Sequence, residues 1–253
     1  MHIQKYKKDK TNKYKVYIDD DEFIIYDDVI IKYNLLCKKE ITEEELQEVL
    51  KTNDEYTSYY LCIRYINTKI RSEKEIKEYL KKKEISNEII HKTIDRLKHN
   101  SFINDEIYAK SYINDKINLS YEGPKKIKDA LIKNNIDDKI IIVYLDKITY
   151  DVWIDRINKY IDKKKKINHA SESIFKKHML SDLHNLGYSS DMINECINCI
   201  KIEDHDDLVK EYNKVKTKLE KKYSDNELKY KIKQKLYSKG YRIEDIEGVI
   251  NED

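Results

Sequence analysis

The chain has 253 residues, of which 40% are aliphatic or aromatic and 39% are charged, and it contains only four glycines and one proline. This hydrophobic content is enough for a core, but the shortage of glycine leaves few positions for the φ > 0 turns of β-sandwiches and barrels, so helices joined by short links are favoured. Fifty Lys and Arg against 48 Asp and Glu give a net charge of +2, which by itself indicates no polyanionic partner.

The first 48 residues differ in pattern from the rest. The segments KYKVYID and EFIIY alternate in polarity on either side of Asp19–Asp21, which predicts a β-hairpin. A short helix is expected to follow, from Asp27 to Leu35.

Beyond residue 48, one segment recurs four times at intervals of 51 to 53 residues. It begins at Ile76, Ile127, Met179 and Ile232, and the residue four positions later is always leucine, at Leu80, Leu131, Leu183 and Leu236. The later apolar positions follow helical spacing, so each copy predicts a helix, a turn and a second helix. A further apolar-periodic stretch precedes each copy, over 56–70, 107–119, 152–161 and 208–219.

We therefore predict an all-α fold, an elongated solenoid of about four tandem three-helix repeats with a small N-terminal β-hairpin extension. The predicted divisions are 1–48 for the hairpin and short helix, then 49–101, 102–149, 150–203 and 204–253 for repeats one to four.

Turn and capping signals agree with this repeat. The position that ends the first helix of each copy is Glu84, Asn135, Gly187 or Gly240, and Asn and Gly accept the left-handed conformation of a helix end. Ser72 with Glu75, and Ser224 with Glu227, have the spacing of capping boxes, and Gly123-Pro124 places proline at a first helical position.

The sequence offers little for catalysis, and no cofactor is expected. Glycines at only 123, 187, 240 and 248 cannot build a phosphate-binding loop. Cys196 and Cys199 have the spacing of half a zinc site, but Cys196 aligns with a repeat core position, so we interpret it as a buried hydrophobe and expect no metal. Asn104–Glu106 and Asp137-Asp138 are interpreted as helix starts rather than acid–base pairs, and Trp153 as core rather than a base-stacking platform.

Lysine recurs at equivalent repeat positions. Lys77, Lys128 and Lys233 align, as do Lys74, Lys125 and Lys177, and corresponding helices of a solenoid line the same side. This predicts a basic stripe that binds nucleic acid or a nucleoprotein, against the alternative of an ordinary solvated helix surface. The candidate binding residues are Lys74, Lys77, Lys81, Lys125, Lys128, Lys177, Lys231 and Lys233.

Three segments resemble the middle of the RecX family: KIRSEKEIKEYLKKKEIS, SFINDEIYAKSYINDK and YEGPKKIKDALIKNNI. Members carry an Arg-Ser pair before the second helix, an acidic pair with an aromatic-Ala step, and a Gly before an Ile-x-x-acid-x-Leu helix. The equivalent residues here are Arg71-Ser72, Asn104-Asp105 with Tyr108-Ala109, and Gly123 with Ile127, Asp129 and Leu131. The match is specific over about 56–140, and it departs at Asn104, where an acid is usual, and at Glu84, where Gly is usual.

The resemblance implies a non-enzymatic modulator that lodges in the groove of the RecA–DNA filament, lowers its ATP hydrolysis and blocks strand exchange in recombination and DNA repair. It also implies contact with single-stranded and possibly double-stranded DNA. The alternatives are an independent DNA- or RNA-binding helical repeat protein and a protein-only scaffold. Because the sequence has no long apolar run or signal-peptide core, we expect a cytoplasmic monomer with reduced cysteines and no membrane contact.

Overall fold

The computed structural model describes residues 1–10, 12–167, 171–201 and 205–252. Within these residues the chain forms three β-strands and 13 α-helices, so the predicted mainly helical class is confirmed. The chain divides into two compact units, Met1–Ser111 with Leu131–Ile140, and Tyr112–Ala130 with Ile141–Asp253. Every helix of the described ranges is too short or too polar to traverse a lipid bilayer.

The N-terminal extension is a three-stranded antiparallel sheet of β1 (Ile3–Lys10), β2 (Lys13–Ile18) and β3 (Asp21–Tyr26), in that order. The predicted hairpin is β2 with β3, and Asp19 adopts a left-handed φ of 47° in its turn. The predicted hairpin is confirmed, and β1 extends it to a sheet of three strands. β1 carries few apolar residues on its inner side and is stabilised by pairing with β2, so its own pattern was weak.

The sheet packs against α1 (Asp27–Lys32), a 3₁₀ turn at Leu35–Cys37 and the first half of α2 (Glu43–Thr68). α2 has 26 residues and begins 13 residues before the predicted start, because Thr42 and Glu45 form a capping box that the apolar pattern did not reveal. The predicted division between residues 48 and 49 therefore falls inside α2. The Asn53 side chain joins α2 to β3, accepting from the Tyr26 N–H at 3.0 Å and donating to the Ile24 carbonyl at 2.9 Å.

The remaining helices follow in chain order. α3 (Glu73–Lys82) and α4 (Asn87–His99) complete the first group with α2. The second group is α5 (Asp105–Leu119), α6 (Pro124–Lys133) and α7 (Asp138–Leu145). The dividing points of the two compact units fall within α5, α6 and α7, so the division into four repeats stays a prediction.

The second unit also contains α8 (Tyr150–Lys165), α9 (Glu172–Leu186) and α10 (Ser190–Asn198). It ends with α11 (His205–Leu219), α12 (Asp225–Ser238) and α13 (Ile243–Glu252). The predicted boundary at 203/204 lies outside the described residues.

The recurring leucines form the core of the helical segments. All four are 0% exposed: Leu80, Leu131, Leu183 and Leu236. The turn position after them is left-handed in every copy, with φ of 60°, 61°, 89° and 83° at Glu84, Asn135, Gly187 and Gly240. The prediction is confirmed at the three Asn and Gly positions, and Glu84 adopts the same conformation despite its side chain.

Of the two predicted capping boxes, one forms. Ser72 accepts from the Glu75 N–H at 3.1 Å while the Glu75 carboxylate accepts from the Ser72 N–H at 2.9 Å. The prediction at Ser224 was wrong, because Ser224 precedes α12 without a side-chain capping bond and Asp225 takes a φ of 51°, which turns the backbone out of capping geometry. Pro124 is the first residue of α6, as predicted.

Candidate functional site

The eight candidate lysines lie on four helices. In the first unit, Lys74, Lys77 and Lys81 are on α3. Because an α-helix turns by about 100° per residue, these three positions lie within about 60° of one another on one side of α3. The others belong to the second unit: Lys125 and Lys128 on α6, Lys177 on α9, and Lys231 and Lys233 on α12.

Two of the α3 lysines are engaged within the protein. Lys77 forms an ion pair with Glu73 one turn earlier, and the Lys74 ammonium donates to the Lys133 carbonyl at 2.7 Å. Glu73 is shared, since Lys98 on α4 also approaches its carboxylate to 2.6 Å. Burial raises the pKa of Glu73, but the hydrogen bonds from Lys77 and Lys98 outweigh it and hold the pKa below its ordinary value. Only Lys81 of this group extends freely into solvent among the described residues.

The α6 lysines border a cleft of about 570 Å³. Its walls are mostly apolar and include Ile142, Trp153 and Met192, whereas Lys125 and Lys128 lie on the α6 side. Trp153 is 4% exposed and meets Tyr188 edge to face at 6.3 Å, so the prediction that it is a core residue is confirmed. A cleft of this kind suits an apolar group with a neighbouring negative charge.

Tyr150, at the edge of the same cleft, is held by Glu195 of α10. The phenol donates to the Glu195 carboxylate at 2.7 Å. This hydrogen bond raises the pKa of Tyr150 to about 12, so the phenol stays neutral at physiological pH.

The lysines on α9 and α12 differ in their surroundings. Lys177 is exposed, whereas Lys233 forms an ion pair with Glu247 on α13. The Lys231 ammonium lies 5.9 Å from the ring centroids of both Tyr223 and Tyr230. Lys231 and Lys233 are two residues apart and therefore project from opposite sides of α12.

Three candidate ammonium groups are thus exposed and make no ion pair or hydrogen bond within the described ranges: Lys81, Lys125 and Lys177. They could reach an anion without breaking an internal contact. The predicted stripe along all four helices stays a prediction.

The remaining candidates are the two acidic runs and the cysteine pair. Asn104 accepts from the Ile107 N–H at 3.0 Å and Asp137 from the Lys139 N–H at 2.8 Å, which confirms both as helix starts. Cys196 is buried in α10, where burial raises the pKa of its thiol to about 11, whereas Cys199 is exposed. Among the described residues, no three His, Cys, Asp or Glu side chains come together as a metal site.

The sequence analysis missed a second basic surface. β1 and β2 bring lysines together across adjacent strands, with Lys7 opposite Lys15. The available signal was the density of lysine in the first 18 residues, where six lysines accompany a single acidic residue.

Comparisons with known proteins agree on one family. A family model described as RecX, first three-helix domain, matches residues 59–97, which run from the second half of α2 to α4. The regulatory protein RecX of Bacillus cytotoxicus is 31% identical, over 99% of this chain and 95% of that protein. The regulatory protein RecX of Bacillus thuringiensis subsp. konkukian is 32% identical, over 98% of this chain and 94% of its own length.

Two solved structures share the fold. A crystal structure of a regulatory protein RecX superposes with a TM-score of 0.65 at 23% identity, covering 78% of this chain and 98% of that one. RecX from Lactobacillus salivarius gives a TM-score of 0.52 at 28% identity, covering 58% of this chain and 96% of that one.

Proposed function

The chain belongs to the RecX family of regulatory proteins, and on that basis we propose that it binds the RecA–DNA filament and inhibits its ATPase, strand exchange and recombinase activity. The observation that carries this proposal is the extent of the relationship, which covers 99% of the chain and so includes the sheet and every helical segment. The protein acts as a monomeric regulator in the cytoplasm and catalyses no reaction of its own. Its setting is homologous recombination, DNA repair and the SOS response.

Charge on the helical segments supports a nucleoprotein partner. Filament DNA is a dense array of phosphates, and lysines that neutralise phosphates release condensed counterions, which makes the affinity salt-dependent. Lys81, Lys125 and Lys177 are the candidates best suited to this contact, because each is exposed and unpaired in the part of the chain that the structure describes. Lys77 and Lys233 would first have to leave Glu73 and Glu247.

The test is inhibition of ATP hydrolysis by RecA filaments assembled on single-stranded DNA, measured across a salt series. The variant carries Lys81→Gln, Lys125→Gln and Lys177→Gln, which remove charge without creating repulsion. The parent protein should inhibit hydrolysis, and the variant should need about tenfold more protein at low salt, with a smaller difference at high salt. Helical content should be unchanged, because exposed substitutions barely affect folding.

A matched control removes three other exposed lysines, at Lys110, Lys139 and Lys221, and should inhibit like the parent. If the parent left ATP hydrolysis unchanged, the proposed function would be wrong. If it inhibited and the two variants behaved alike, the three lysines would be ordinary solvated surface. Titration against naked single-stranded DNA, RecA alone and the filament separates a filament regulator from an independent nucleic-acid-binding protein.

A further inference from the structure

Positive charge is concentrated in the first two strands of the sheet. Residues 1–18 contain six lysines and a single acidic residue, Asp9, which gives this segment a formal charge of +5 in a chain whose total is +2. The rest of the molecule is therefore net negative, and the acidic residues next to these strands lie in the β2–β3 turn and at the start of β3, at Asp19–Glu22.

The strand register sorts these lysines onto one face. Tyr6 pairs with Val16, which pairs with Phe23, and this row faces the core: Val16 is 0% exposed and the Tyr6 hydroxyl donates to the Leu35 carbonyl at 2.6 Å. Neighbouring residues in a strand point to opposite sides, so the adjacent rows face away from that core. We call this the basic sheet face, and its members are Lys5, Lys7, Lys15, Tyr17, Glu22 and Ile24.

The charges on the basic sheet face are poorly compensated. Lys7 lies directly opposite Lys15, and like charges in a cross-strand pair are destabilising. Glu22 is the acidic side chain on this face. Its carboxylate forms an ion pair with Lys15 at 2.5 Å, and hydrogen bonds from Lys15 and Tyr17 lower its pKa. Lys5 and Lys7 form no ion pair or hydrogen bond within the described residues. The ammonium groups of Lys5 and Lys7 are therefore available to a bound polyanion.

We propose that the basic sheet face binds the sugar–phosphate backbone of single-stranded DNA, directly and without RecA. Lys5 and Lys7 are two residues apart on β1, about 7 Å along the strand, which is comparable to the separation of neighbouring phosphates in an extended single strand. Half-buried Tyr17 lies among the lysines, and a lysine-lined surface with an aromatic ring is the usual means of holding a single strand without reading its sequence.

A nucleic-acid ligand fits this face better than a protein surface does. Protein interfaces depend on a buried apolar or aromatic centre and are depleted in lysine. The basic sheet face offers only Tyr17 and Ile24 as such a centre, and Ile24 is 47% exposed. Charge of one sign is instead the dominant feature of the face, and phosphate is the group that matches it.

The experiment is fluorescence anisotropy of a labelled 20-nucleotide oligo(dT) titrated with the full chain over a salt series, with no RecA present. The test variant is Lys5→Gln with Lys7→Gln, and the control is Lys221→Gln with Lys222→Gln, which removes the same charge from two exposed lysines after α11. The test variant should bind about tenfold more weakly at low salt, and the slope of log affinity against log salt should fall by about 1.4, which is two phosphate contacts at about 0.7 each. The control should stay within about twofold of the parent.

Thermal unfolding of the same proteins separates loss of binding from loss of folding. Removing Lys7 relieves its repulsion with Lys15, so the Tm of the test variant should equal or exceed that of the parent at low salt. Saturating oligo(dT) should raise the Tm of the parent more than that of the test variant.

Three results would overturn the proposal: no binding of naked oligo(dT) by the parent at low salt, equal binding by parent and test variant, or equal loss in the control. A test variant that bound naked DNA normally but no longer inhibited the RecA filament would assign the face to a protein contact instead. Because RecA is absent from the binding assay, its outcome does not depend on the proposed regulatory function.

Discussion

Arg156 on α8 is a buried cation that caps a helix from a distance. It is 7% exposed, and its guanidinium donates to the Lys116 and Ser120 carbonyls at 3.2 and 2.7 Å and to the Ile117 carbonyl. The last carbonyls of a helix have no partner within the helix, and positive charge is favourable at that end. Arg156 therefore completes the end of α5 and fixes the start of the link to α6.

Replacing Arg156 with Met should lower the free energy of unfolding by about 3 kcal/mol, because the part-buried carbonyls of Ile117 and Ser120 lose this charged donor together. Arg156→Lys is the matched control: it retains the charge but not the planar fork, so its loss should be intermediate. Urea denaturation followed by circular dichroism measures both. A loss below about 0.5 kcal/mol for Arg156→Met would show that water replaces the guanidinium without cost.

At the scale of elements, the turn after the helix that carries each recurring leucine has the same left-handed backbone conformation in all four copies, although its residue differs. Glu84, Asn135, Gly187 and Gly240 all follow a helix in the left-handed conformation, in which a side chain with a Cβ is strained. Gly187 is also crowded: an added Cβ would lie 2.5 Å from the Lys126 backbone nitrogen. The same turn position therefore accommodates a side chain in two copies, at Glu84 and Asn135, and excludes it at Gly187.

Two substitutions at this turn position should have opposite signs. Glu84→Gly should raise the free energy of unfolding by about 0.5–1 kcal/mol, because relief of the left-handed strain exceeds the added chain entropy. Gly187→Ala should lower it by about 2 kcal/mol or more, because strain and a backbone collision act together. Chemical denaturation of both variants checks the pair, and a stabilising Gly187→Ala would mean that α6 and α9 separate readily at this point.

Sequence reasoning succeeded for elements whose signal is local and periodic. The spacing of Leu80 and its three equivalents predicted buried helices, and Ser72 with Glu75 predicted a capping box, because these features depend on residues three or four apart. β1 and the first half of α2 were not predicted. β1 has a charged outer face, and the start of α2 lacks strong apolar spacing. Both are stabilised by packing against residues distant in sequence, which local patterns do not reveal.

At the scale of the whole molecule, the pairing of charges could not be predicted. Lys233 pairs with Glu247, 14 residues away, and Lys74 reaches the carbonyl of Lys133, 59 residues away. Such pairings determine which lysines remain free to bind a ligand. The sequence therefore showed which lysines align, but not which of their ammonium groups are free to bind an anion.

The acidic side chains predict how stability depends on pH. Hydrogen bonds from lysine hold the pKa of four glutamates below the ordinary 4.5: Glu22, Glu45, Glu88 and Glu211. Glu73 behaves alike despite its burial. These groups bind fewer protons folded than unfolded, so their contribution is complete above pH 4.5 and is lost as pH falls below it. Burial raises the pKa of Asp54 and Asp105, which act in the opposite direction but are fewer.

The Tm should therefore fall as pH is lowered from 5 to 3, as measured by differential scanning calorimetry at constant ionic strength. Glu73→Gln serves as the control: it should destabilise the protein at pH 7 and much less at pH 3, where the parent's Glu73 is losing its charge as well. A Tm that stays constant or rises over this range would contradict the assignment of these ion pairs.

α2 contributes to two separate cores, and this restricts how its length can change among relatives. Its 26 residues extend about 39 Å, and the helix supplies Leu46 and Val49 to the core under the sheet and Tyr59 and Cys62 to the core with α3 and α4. Inserting one residue between these pairs would rotate one set against the other by about 100°, so that one core would lose its contacts. The number of residues between these two pairs is therefore constrained by the helical repeat. Relatives that keep both cores should differ here by substitution, or by insertion or deletion of whole heptads, but not by insertion or deletion of a single residue.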